Sequence, residues 1–171
     1  MKKLMFIAII SLIAPCIMYA QTDAITKYFD KYMDDEKFTV VYITPKMFQM
    51  IGKLDLTDPD ARDIKDALKD LRGLRILTTD QNGKELYKEV TNSFSPAEYE
   101  LLMTVRDKGQ NVRFWTKENG GIINELLMLV GGEKQFVLMS FVGSIDLHKI
   151  SKLANKVDIK GMEHLKEVDK K

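Results

Sequence analysis

Few side chains in this sequence stand where chemistry could use them. The two histidines, His148 and His164, lie sixteen residues apart, and neither belongs to a ligand-spaced motif. Zinc needs three or four converging ligands, so no metal site is expected. Asp34-Asp35-Glu36 lacks the alternating oxygen ligands and the glycine of a calcium loop, and reads as a solvated turn. Asp58, Asp60, Asp63 and Asp66 suggest a carboxylate cluster, but paired catalytic carboxylates must face a cleft. Asp58 is placed to cap a helix, Asp60 and Asp63 sit near its positive end, and Arg62 and Lys69 can partner Asp66. Ser140 and Ser144 stand in no nucleophile elbow. Gly120-Gly121 and Gly131-Gly132 read as hairpin turns, since no helix starts after them to cradle a phosphate. The expectation is a non-enzymatic protein with no catalytic residue, cofactor or metal.

The apolar residues are more informative. In 122–130, Ile122, Leu126, Met128 and Val130 alternate with Ile123, Leu127 and Leu129, with Glu125 the polar interruption. In 136–142, Phe136, Leu138 and Val142 alternate with Val137, Met139 and Phe141. A sheet wetted on one side should alternate apolar with polar; these strands are apolar on both. Either they are central strands covered on both faces, or one face is open to a partner, a second copy or a lipid. The open reading marks Trp115, Ile123, Leu127, Leu129, Val137, Met139 and Phe141 as a partner or ligand surface. Trp115, between Arg113 and Lys117, would form its rim.

The surrounding elements follow from spacing. Ile25, Tyr28, Phe29 and Tyr32 predict a short amphipathic helix, and 38–43 a strand. Thr44-Pro45 and Asp58-Pro59 each open a helix; the second carries the stripe Ala61, Ile64, Leu68 and Leu71 and stops at Gly73. A strand at 74–79, the turn Asn82-Gly83 and a helix over 84–94 come next. Strands at 99–106, 112–117, 122–130 and 135–142, joined by short turns, predict an antiparallel meander. Ser95-Pro96-Ala97-Glu98 is also a capping box, but alternation up to Val105 favours strand there. Asp146 caps a last helix, and a short helix near Met162 and Leu165 follows Gly161. The fold class expected is α+β: a largely antiparallel sheet ending in a four-strand meander, with helices packed on one face.

Met1-Lys2-Lys3, the apolar run from Leu4 and the small residue Ala20 form the layout of a secretory signal peptide. The run is shorter than the ~20 apolar residues of a spanning helix. The expected cut after Ala20 leaves residues 21–171 as a single domain in the periplasm or cell envelope. Lipidation of Cys16 is the alternative; Pro15 fits poorly before it, and membrane contact is expected only in that case. Cys16 is the only cysteine, so the mature domain rests on its apolar core without disulfides. Without Lys2 and Lys3 the chain has 24 basic and 25 acidic residues, a net charge of −1 with no surplus to attract nucleic acid.

Five segments resemble one family: 38–48 (FTVVYITPKMF), 74–77 (LRIL), 87–89 (YKE), 120–132 (GGIINELLMLVGG) and 145–153 (IDLHKISKL). The chain is identified as a member of the exported domain of unknown function numbered 4252, found in Bacteroidetes. The resemblance covers nearly all of the mature chain and brings no catalytic residues. It implies an envelope protein of unassigned activity, of a kind often encoded near extracytoplasmic sigma and anti-sigma factors, which points to a stress or signalling setting. The function expected is binding of an envelope protein, or self-association. The alternative is a carrier or sensor of a small apolar ligand or lipid held between sheet and helices.

Overall fold

The computed structural model describes residues 26–93, 97–154 and 160–165. The expected signal segment 1–20, Cys16, Gln21, Ile25, Phe94, Ser95-Pro96 and the tail 166–171 lie outside them. The elements run α1 (Thr26–Tyr32), β1 (Thr39–Ile43), α2 (Pro45–Gly52), α3 (Pro59–Leu68), β2 (Leu71–Thr79) and α4 (Gly83–Ser93). Then come β3 (Glu100–Asp107), β4 (Gln110–Asn119), β5 (Ile122–Gly131), β6 (Phe136–Ile145) and α5 (Leu147–Ala154). A 3₁₀ turn at 162–165 carries Met162 and Leu165.

Local chemistry sets the helix ends. Pro45 and Pro59 start α2 and α3, where a missing N–H costs nothing. The Asp58 carboxylate accepts from the Ala61 N–H at 2.9 Å, and Asp146 from Lys149 at 3.2 Å. Thr44 precedes Pro45 in extended conformation, but its side chain makes no capping bond. Asp66 pairs with Lys69, as expected, and with Lys149; Arg62 instead donates to the Leu56 carbonyl.

The six strands form one antiparallel sheet in the order β1-β2-β6-β5-β4-β3. The chain crosses from β2 to the far edge through α4, then returns by a four-strand meander whose last strand lies against β2. β5 and β6 are therefore central, with Met128 opposite Met139 and Leu129 opposite Leu138.

The α+β class, the antiparallel sheet and the closing meander are as the sequence reads. The helices are not confined to one face. Phe48 of α2, Ala67 of α3, Ile150 and Leu153 of α5, and Met162 pack with Leu126, Met128 and Val130. Tyr28 and Phe29 of α1 and Leu86 and Val90 of α4 pack with Leu127, Leu129 and Leu138. Successive residues of a strand point to opposite faces, so each sheet face has its own layer of helix. A second correction concerns Leu71. It belongs to β2 and not to the α3 stripe, because α3 ends at Leu68 and the strand begins three residues later.

Candidate functional site

The residues read as a possible open surface are core. Leu127, Leu129 and Met139 have no exposure, and Trp115, Val137 and Phe141 are buried; Ile123 is half-buried. They do not share a face either. Trp115, Leu127 and Leu129 lie with α1 and α4, whereas Val137, Met139 and Phe141 lie with α2, α3 and α5. Ile123 joins the second group because the register shifts between Ile123 and Glu125, a bulge that reverses the alternation. Both faces are apolar because both are covered. Where an apolar ligand would have to sit, Met128 and Met139 pack with Phe48, Ile150 and Met162.

Three features remain as candidates. The first is Glu125, on central strand β5 and buried at 3 % exposure. Tyr99 donates its hydroxyl to one carboxylate oxygen at 2.6 Å, and Ser140 to the other at 2.7 Å. Lys117 is its cross-strand neighbour; its ammonium lies 5.4 Å from the Tyr99 ring centre and 3.3 Å from Glu98. A buried carboxylate bound at both oxygens is a structural tie between β5, β6 and the start of β3.

The second is a cavity of about 310 Å³ between α4 and the far ends of β3, β4 and β5. Lys84, Tyr87 and Lys88 of α4 line it, with Arg106 of β3, Arg113 of β4 and the carboxylate Glu133. Two glycines seat α4 here. A Cβ on Gly83 would stand 2.2 Å from the Gln135 carbonyl, and one on Gly131 would stand 2.4 Å from the Tyr87 ring. The Arg113 guanidinium lies 5.7 Å from the Tyr87 ring centre. Burial pushes the Tyr87 phenol above its usual range, while the nearby Arg113 and Arg106 charges pull the other way. Arg106 donates to the Asn111 side chain at 3.0 Å, and the buried Nε of Arg113 has no acceptor among the described residues. Sequence reading took Gly131-Gly132 only as a turn. The basic residues come from three separate segments, and no motif links them.

The third is an apolar surface at the β1 edge. Of nine exposed large hydrophobic residues described, five fall within 41–54: Val41, Tyr42, Met47, Met50 and Leu54. Only Thr44 separates β1 from α2; Val41 and Tyr42 are neighbours on β1 and point to opposite sheet faces, Met47 and Met50 belong to α2, and Leu54 follows it. The outer edge of β1 pairs with no other strand among the described residues.

The other sequence candidates are scattered. Asp34 and Glu36 are exposed and Asp35 half-buried in the turn between α1 and β1; Asp58 caps α3, Asp63 is exposed beside it, and the Asp60 side chain lies outside the description. His164 faces Glu163 at 3.8 Å. Among the described residues no three acidic, histidine or cysteine side chains are grouped to hold a metal. None of the described helices is long and apolar enough to cross a membrane.

Fold and sites together define an α+β domain with a six-stranded antiparallel sheet, helices on both faces, a basic cavity beside α4 and exposed apolar side chains at the β1 edge. The chain belongs to the family described as Domain of unknown function (DUF4252), which matches residues 32–153. No curated protein and no solved structure matches it.

Proposed function

We propose that this is a non-enzymatic, exported cell-envelope protein that binds another protein, in a signalling or stress-response setting. The observation that carries the binding is the exposed apolar stretch 41–54 beside the β1 edge, in a molecule whose central strands β5 and β6 are covered on both faces. An edge strand offers unpaired N–H and C=O groups to an incoming strand. Met47 and Met50 add flexible side chains that adapt to varied apolar partners. The occupant that suits this surface is an extended apolar segment of a partner protein. Export rests on the pattern of Met1 to Ala20, and the signalling setting on the family resemblance.

Photo-crosslinking in the native host tests the reading. A benzophenone side chain at Tyr42 or Met50 is expected to give one discrete adduct, lost when Val41→Asp is added. An adduct of twice the chain mass identifies the partner as a second copy. If neither position yields more adduct than one at exposed Lys160, the reading fails. The same purified protein, measured by intact mass, is expected to begin at Gln21.

A further inference from the structure

The cavity beside α4 gathers four cationic side chains that form no ion pair among the described residues. Lys84 and Lys88 are one turn apart on α4, and Arg106 and Arg113 approach from β3 and β4. None of the four makes an ion pair with a carboxylate among the described residues. Like charges four residues apart on a helix repel. A buried charged donor without an acceptor, as at Arg113 Nε, is costly to leave so. Glu133 is the one carboxylate in the lining, so the surround carries a surplus of positive charge.

We propose that this cavity binds a phosphate group. Four cations around one small space suit a compact, multiply charged anion better than a single carboxylate. Two guanidinium forks match phosphate oxygens in pairs, and two ammonium groups add point charges. The volume admits a phosphate with a small ester group attached. A soluble phosphate ester and a lipid headgroup present the same chemistry here. The site is independent of the apolar edge: β3 and β1 are opposite edges of the sheet.

Calorimetric titration of the purified full chain tests this with inorganic phosphate and glycerol 3-phosphate. A parallel arm measures co-sedimentation with phosphatidylcholine vesicles, with and without phosphatidic acid. Wild type is expected to bind, and Arg113→Gln to weaken binding tenfold or more. Lys84→Gln with Lys88→Gln alters two exposed positions, so it tests the charge even if Arg113→Gln fails to fold. Binding should weaken as salt rises. Binding to the soluble anions names a phosphate ester as ligand; binding only to phosphatidic acid vesicles, lost in the same variants, names a headgroup. No binding in either arm, or equal binding by wild type and folded variants, overturns the proposal.

Discussion

Tyr28 ties α1 to α4 through its hydroxyl, which donates to Ser93 Oγ at 2.7 Å; Ser93 in turn donates to the Val90 carbonyl at 2.7 Å. Burial raises the Tyr28 phenol above its ordinary value of 10.0. The folded chain therefore keeps this proton at a pH where the unfolded chain has released it. Fewer protons on the unfolded state mean that stability falls as pH rises past the ordinary tyrosine value. Below that value the contribution is complete. The urea midpoint should drop more steeply between roughly pH 9 and 11 in wild type than in Tyr28→Phe; parallel profiles would show that the phenol is not held neutral. Glu125 illustrates how far single residues are legible. Its place as the polar interruption of an apolar strand is plain in the sequence, yet its partners are 26 and 15 residues away. Neither has a spacing that announces the contact.

At the scale of elements, the strands and helix starts were legible because proline, capping aspartates and alternation act locally. The faces were not. Amphipathic spacing shows that α1, α4 and α5 each bury a stripe, but it cannot say against which side of the sheet. The bulge after Ile123 was hidden for the same reason, since one extra residue changes the face without changing composition. The cavity was illegible because its cations come from α4, β3 and β4 and meet only once α4 is docked. Gly83 controls that docking. An added methyl group would collide with the Gln135 backbone, which cannot rotate aside as a side chain can. Gly83→Ala should gain helix propensity of up to ~1 kcal/mol and still lose stability, by about 1–3 kcal/mol for the overpacking. Chemical denaturation measures the net sign: a variant more stable than wild type would mean that α4 sits farther from the β5–β6 turn than described.

For the whole molecule, the covered sheet and the open edge make opposite demands on substitution. Leu127 has no exposure and packs in the layer between the sheet and α4, while Met50 is 56 % exposed on α2. Truncating the first leaves a cavity in a packed interior, so Leu127→Ala should cost about 2–5 kcal/mol. That is a large share of the roughly 5–15 kcal/mol typical of a domain, and with a single cysteine the chain forms no internal disulfide to offset it. Met50→Ser removes a side chain that water already surrounds, so its effect should stay within about 0.5 kcal/mol. The melting temperature should fall sharply for Leu127→Ala and barely move for Met50→Ser. Partner crosslinking from Tyr42 should show the reverse order in the variant that stays folded, with Met50→Ser weakening it. An exposed methionine adds little to stability, and the proposed recognition would give it a role. If Met50→Ser melts as low as Leu127→Ala, the edge is part of the core and the binding surface must be sought elsewhere.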